Sequence, residues 1–170
     1  MTLLVGLLDS GLDDQLINRA AGSAAFQMDG LYNVGQVPAI SDRTGHGSRL
    51  ARVVLASIDE IEFLNAQVFT DMGSSSPVVI ATGLDWLMNT GAKIINMSFG
   101  LNADRSVLRD ACVRALAAGI ILVASSPPRG NPVYPAAYEG VISVTGDARC
   151  APGETSFLNT PTVQFGACVH

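Results

Sequence analysis

The 170-residue sequence predicts an α/β domain, a three-layer sandwich with a mostly parallel central sheet, and three observations predict it. Short, strongly apolar runs recur along the chain, each bounded by turn residues, as strands buried on both faces require. Segments with helical apolar spacing separate these runs, which implies right-handed crossovers and helices on both faces of the sheet. Hydrophobic residues make up 48% of the chain and charged residues 15%, a balance that supports a sizeable core and excludes a disordered chain.

The first strand is Leu3-Leu4-Val5-Gly6-Leu7-Leu8, which runs straight into Asp9-Ser10-Gly11. An acid at the carboxyl end of a buried strand lies where open α/β sheets place their sites, and burying it is costly unless a partner needs it. Between Gly11 and Asp29 the pattern is mixed and rich in small residues. Leu12, Leu16 and Ala20 hint at one helical face, Asp29-Gly30 signals a turn, and Gly35 to Ser41 reads as loop. Leu50, Ala51, Val54 and Leu55 then recur with helical spacing behind Thr44-Gly45, either of which can cap. His46 therefore falls in the first turn of a helix. A helix N-terminus disfavours added positive charge, which suits a histidine acting as a neutral base.

Ile61 to Phe69 reads as a strand, Asp71 to Pro77 as a Gly/Ser loop, and Val78 to Asn89 as an amphipathic helix ending near Gly91. Ala92 to Gly100 reads as a strand with a small-residue end. Asp104 or Ser106 can cap a helix through Ala118, and Ile120 to Ser126 is another buried strand. The prolines of Pro127-Pro128-Arg129-Gly130-Asn131-Pro132 demand a loop, and Val141 to Gly146 is a strand. From Asp147 to His170 the chain is turn-rich, with short apolar pieces at Phe157 and Val163 to Phe165.

Several function classes drop out. A net charge of −5 argues against a nucleic-acid surface. No apolar run reaches the roughly 20 residues of a membrane span. The N-terminus carries no basic region or cleavage site, so neither a signal peptide nor a propeptide is expected, and the expected location is cytoplasmic. Three cysteines at wide spacing, Cys112, Cys150 and Cys168, resemble neither a disulfide framework nor a zinc site; thiols in a reducing cytosol fit best. The acidic residues Asp59, Glu60 and Glu62 read as a solvated face, and no metal site is expected.

Polar residues gather at three strand ends, Asp9-Ser10, Asn96-Met97-Ser98 and Ser125-Ser126, with His46 opening a helix between them. At these residues the chain resembles the subtilisin-like serine proteases. Asp9-Ser10-Gly11 is similar to the family's Asp block. Gly45-His46-Gly47-Ser48 with Ala51 is similar to its His block, with Ser48 where Thr is usual. Ile94 to Gly100 resembles the strand of the primary specificity wall, and Gly119 to Ser126 followed by Tyr134-Pro135-Ala136 and Val141 to Val144 resembles the next strand-loop-strand block. The blocks stand in the family's order over nearly the whole chain, so the expectation is a single catalytic domain over residues 1–170.

The resemblance implies a serine endopeptidase that needs no cofactor and acts on a polypeptide substrate. His46 takes the proton of a serine hydroxyl and returns it to the leaving amine, and Asp9 fixes the imidazole tautomer. Ser98, Phe99 and Gly100, with Ser125 and Ser126 facing them, are the expected substrate-binding residues, pairing with an extended peptide. Two features depart from the pattern. No Gly-Thr-Ser-x-Ala block opens a helix; the look-alike at Gly153 to Phe157 comes too early, at a surface turn, so the domain is expected to be incomplete at its C-terminus. Counting from Gly119 puts Pro128 where the family carries an asparagine oxyanion donor, and Asn131 is the candidate to replace it. Small members without a proregion resemble maturation proteases that trim a leader from a dedicated precursor protein, such as a quinohaemoprotein amine dehydrogenase subunit. The alternative is an inactive pseudoprotease or fragment that binds an extended peptide. A flavodoxin-like nucleotide binder fits the alternation of elements but lacks a glycine-rich phosphate loop after the first strand.

Overall fold

The computed structural model describes residues 2–58, 60–69 and 73–169. Asp59 and Asp71, which the sequence places in an acidic face and a loop, lie outside the described residues, as does His170. Among the described residues one nine-stranded sheet organises the fold, in the order β3-β2-β4-β1-β5-β6-β7-β9-β8. The strands are β1 (Leu3–Asp9), β2 (Gly22–Met28), β3 (Val34–Val37), β4 (Ile61–Gln67), β5 (Ile94–Met97), β6 (Ile121–Ser125), β7 (Ile142–Gly146), β8 (Thr155–Phe157) and β9 (Phe165–Ala167). Only the outermost pairs, β2 with β3 and β8 with β9, are antiparallel; all inner pairs are parallel. The helices are α1 (Asp14–Ile17), α2 (His46–Ser57), α3 (Pro77–Thr90) and α4 (Ser106–Ala117).

β1 lies between β4 and β5, which explains its continuous apolar run: Leu3 to Asp9 pairs with Ile61 to Gln67 on one side, and Val5 to Leu7 with Ile94 to Asn96 on the other. α3 ends at Gly91 as its sequence suggests and begins one residue earlier than expected, at Pro77. The Ser76 hydroxyl accepts from Val79 N–H, Pro77 occupies the first turn, and Gly91 closes the helix in the left-handed conformation. α3 and α4 cover one face over the main core, in which Leu8, Ile80, Leu84, Leu87, Ile95 and Leu122 are fully buried. On the other face α1 and α2 close a smaller core of Val5, Leu7, Leu12, Leu16, Ala51, Ile61 and Phe63.

From β5 outward this second face changes character. Ile94, Ile121, Val123, Ile142, Val144 and Phe165 share it by register, and all are only partly buried, Ile121 being 47% exposed. The alternate residues Ile95, Leu122 and Ala124 are sealed beneath α3 and α4. The sandwich is thus three layers deep over β1 and β4.

The structure differs from the sequence expectation at both ends of the sheet. The stretch after Gly11 holds only one turn of helix and then β2, and part of the expected loop at Gly35 to Ser41 is β3. The small residues at the start of β2 fit against its neighbour β4: a Cβ on Gly22 would press Leu64 at 3.1 Å, while Trp86 of α3 would stand at an ordinary 3.7 Å. The turn-rich tail also pairs, as the three-residue strands β8 and β9.

Candidate active site

Asp9 ends β1 and His46 begins α2, and the fold brings them together. Asp9 Oδ1 lies 2.7 Å from His46 Nδ1 and accepts the Ser10 N–H, also at 2.7 Å. Asp9 is 2% exposed, whereas 45% of the His46 side-chain surface is open. A buried carboxylate facing Nδ1 selects the tautomer with its proton on that nitrogen, which leaves Nε2 as the acceptor. Asp9 Oδ2 is buried with no hydrogen-bond partner among the described residues.

Close backbone approach sets the position of α2. A Cβ on Gly47 would meet the Gly11 carbonyl oxygen at 2.3 Å, so only glycine lets the helix start this near the end of β1. Gly45, the N-cap, is left-handed with φ 71° and has no side chain to cap with. Capping comes instead from Asp42, a residue the sequence reading did not single out. Its Oδ1 accepts from Gly45 N–H at 2.9 Å, Thr44 N–H and hydroxyl at 3.0 Å, and the Ser10 hydroxyl at 3.1 Å. Its Oδ2 accepts from Ser48 N–H at 3.0 Å and the Ser48 hydroxyl at 2.7 Å. Burial pushes the Asp42 carboxyl up, but the donors of Ser48, Thr44 and Gly45 outweigh it and hold the group below the usual carboxylate range. An aspartate three residues before a glycine cap is the sequence signal that could have revealed it. Gln67 makes a second tie. Its amide donates to Ser10 O at 2.8 Å and accepts from Ile40 N–H at 3.0 Å, fastening the loop before His46 to the strand end.

Asp9, Ser10, Thr44, His46, Phe69, Gly73, Ser98 and Phe99 line a mainly apolar cleft of about 220 Å³. Phe69 and Phe99 meet edge to face with centroids 5.1 Å apart. Leu101 and Tyr134 exchange backbone hydrogen bonds of 2.7 and 2.9 Å, pinning the segment that carries Ser98 and Phe99. The Ser98 hydroxyl accepts from Asn96 Nδ2 at 2.9 Å. Of the expected substrate-binding residues, Ser98 and Phe99 thus border the acid–base pair, while Gly100, Ser125 and Ser126 are not in the cleft lining. Ser126 is turned away: it is buried, and its hydroxyl donates to Thr162 O at 2.8 Å. Asn131 is exposed in its loop and is not in the cleft lining either. Ser156 sits on the edge strand β8 and donates to Asp147 Oδ2 at 2.7 Å, in a different depression. Among the described residues no three His, Cys, Asp or Glu side chains gather as a metal site, and no helix is long and apolar enough to cross a membrane.

Comparison with known proteins gives this geometry its context. The chain is 34% identical over 151 residues to the thermostable alkaline protease of Halalkalibacterium halodurans, an alignment covering 82% of this chain and 40% of that protein. It is 33% identical over 151 residues to alkaline elastase YaB of Bacillus sp. strain YaB, covering 82% of this chain and 38% of that one. Among solved structures, a lanthipeptide protease superposes with a TM-score of 0.68 at 22% identity, covering 85% of this chain and 48% of that chain. Fervidolysin from Fervidobacterium pennivorans, a keratinolytic enzyme related to subtilisin, superposes with 0.65 at 23% identity, covering 84% and 24%. These two likenesses show the fold. The chain thus spans about two fifths of the two protease sequences it matches. The subtilase family profile matches residues 2–165, and the chain belongs to the subtilase family.

Proposed function

We propose that these residues form the acid–base half of a serine endopeptidase of subtilisin type. The observation that carries this reading is the 2.7 Å contact between Asp9 Oδ1 and His46 Nδ1 beside an open cleft. Asp9 holds the Nδ1 proton and stabilises the imidazolium. Nε2 takes the proton of a serine hydroxyl as its oxygen attacks the scissile carbonyl, then returns it to the leaving amine. The serine is supplied from outside these 170 residues. The matched proteases are more than twice as long, and the partly exposed apolar strip on β5, β6 and β7 offers a bed for a covering helix that brings it. The two serines in the cleft are otherwise engaged, Ser10 with Asp42 and Ser98 with Asn96.

The substrate in this reading is a polypeptide lying extended along the Ser98–Phe99 segment, with one apolar side chain against Phe69 and Phe99. An odd count of three widely spaced cysteines suits a reducing compartment, and with it the narrower proposal of leader trimming on a dedicated precursor protein in the cytoplasm. A fluorophosphonate probe on the complete protein tests the core of the reading. Labelling of one serine is expected, and its loss in His46→Gln. No labelling of the complete protein refutes hydrolysis and leaves a peptide-binding pseudoprotease; labelling unchanged in His46→Gln refutes the role given to His46.

A further inference from the structure

We propose that Asp42 is a positioning residue of the acid–base pair, its one carboxylate clamping the end of β1 to the first turn of α2 so that His46 stays on Asp9. The proposal rests on the pairing of Asp9 with His46 described above and names what holds it. A helix cap alone needs only the backbone donors Gly45 N–H and Ser48 N–H, and Asp42 takes both. It also takes the Ser10 hydroxyl, 32 residues away in sequence. Ser10 in turn accepts the Gly47 N–H at 3.1 Å, and its own N–H holds Asp9 Oδ1. One residue, Ser10, therefore orients the acid with its backbone and the base-bearing helix with its side chain. Asp42 sets the direction of that side chain.

A third strut leaves the same node. The Ser48 hydroxyl donates to Asp42 Oδ2 and accepts the Asp13 N–H at 3.0 Å, so the entry to α1 is fixed against α2 as well. His46 sits between Gly45 and Gly47, whose N–H groups are both held in this ring, while its imidazole is nearly half exposed and has little packing of its own to fix it. Removing Asp42 frees at least six donors at once: the Ser10, Thr44 and Ser48 hydroxyls and the Thr44, Gly45 and Ser48 N–H groups. A carboxylate accepts in every direction, whereas the amide of asparagine presents donors on one side, so Asp42→Asn is not a neutral replacement.

The test is nitrogen-15 NMR of the His46 ring in the full chain, with His46→Gln to assign the signal and a thermal melt for each variant. The wild type is expected to hold its neutral ring with the proton on Nδ1, exchanging slowly with solvent. In Asp42→Ala the ring is expected to shift towards the Nε2–H tautomer, with Nδ1–H exchange faster by about fivefold, the equivalent of one ordinary hydrogen bond. Ser10→Ala removes the strut without removing charge or the backbone cap, and must move the tautomer the same way by a smaller amount; it decides the matter alone if Asp42→Ala fails to fold. Tautomer and exchange unchanged in a folded Asp42→Ala or in Ser10→Ala overturn the proposal, even if the melt is lower, because a cap that only stabilises the helix does not move the ring proton. Asp9→Asn is the separate control. If it leaves the Nδ1–H signal unchanged, the Asp9–His46 pairing itself is wrong.

Discussion

Replacing Gly47 with alanine probes the closest approach in the site. The added Cβ would stand 2.3 Å from the Gly11 carbonyl oxygen and 3.2 and 3.3 Å from the Gly11 nitrogen and carbonyl carbon, all backbone atoms with no side-chain freedom to yield. Moving from 2.3 Å to an ordinary contact at 3.4 Å takes a retreat of about 1 Å by the start of α2. Overpacking of this kind costs about 1–3 kcal/mol. Alanine returns up to about 1 kcal/mol through helix propensity. The net expectation is a loss of about 1–2 kcal/mol, which for a chain of this size lowers Tm by about 2–8 °C. The same retreat carries the adjacent His46 away from Asp9, and misplacement by about 1 Å costs on the order of 10²-fold in rate. Calorimetry reads the first effect and turnover of a peptide substrate by the complete protein reads the second. A Gly47→Ala protein that melts above the wild type with full turnover would refute the reasoning, since propensity alone would then govern the position.

Other expectations follow from charge and burial. The Asp42 carboxyl lies below its ordinary value in the folded chain, so its contribution to stability is complete above an unfolded pKa of about 3.9 and is lost as pH falls through the lower folded value. Asp147, held down by hydrogen bonds from Arg149 first and then Ser156, adds in the same direction; denaturant midpoints measured from pH 6 to pH 2 should fall more gently in Asp42→Asn than in the wild type. Burial pushes the Cys112 thiol up to about 12 and closes it to solvent, whereas Cys150 is partly exposed. Brief iodoacetamide treatment followed by peptide mapping should therefore modify Cys150 and spare Cys112 until the chain is unfolded. Phe99→Ala removes the edge-to-face partner of Phe69 and widens the cleft. It should cost about 1 kcal/mol or more in stability, and in the complete enzyme it should raise KM for a substrate with a bulky apolar residue near the cut more than it lowers kcat.

The elements legible in the sequence are those whose burial leaves a pattern. β1 reads as an apolar run because neighbours and helices enclose it; β6 reads the same although α3 and α4 cover only one of its faces. α3 announces itself by its apolar spacing and by Gly91 at its end, while Ser76-Pro77 at its start reads as loop. β2 is hidden because its first four residues are small, Gly22 against Leu64 of β4 and Ala24 fully buried, and small residues carry no period. β8 and β9 are too short to show one. In the site, Asp9 and His46 are legible as an acid ending a buried strand and a histidine opening a helix. Asp42 is fainter: its only local sign is an aspartate three residues before Gly45, and its tie to Ser10 is remote in sequence. Ser125 and Ser126 carry a different lesson: side chains alternate along a strand, so Ser126 shares the buried side of Leu122 and Ala124 and cannot face the same way as Ser125.

The central place of β1 also bears on how the chain is made. β1 is translated before either of its neighbours: Leu3 must wait for Ile61, and Val5 for Ile94. At ordinary elongation speeds the second wait is on the order of ten seconds. Throughout it Leu3 to Leu8 is an apolar ribbon that lacks the partner for at least one edge, the kind of segment that nascent chains lose to misassembly. Gly6 narrows the margin, since a Cβ there would press Ile95 and Leu87 at 3.1 Å just as the late strand docks. Substitutions along this ribbon are therefore expected to show first as lost soluble yield on expression, relieved by chaperones or slower synthesis, in molecules whose acid and base remain intact once they have folded.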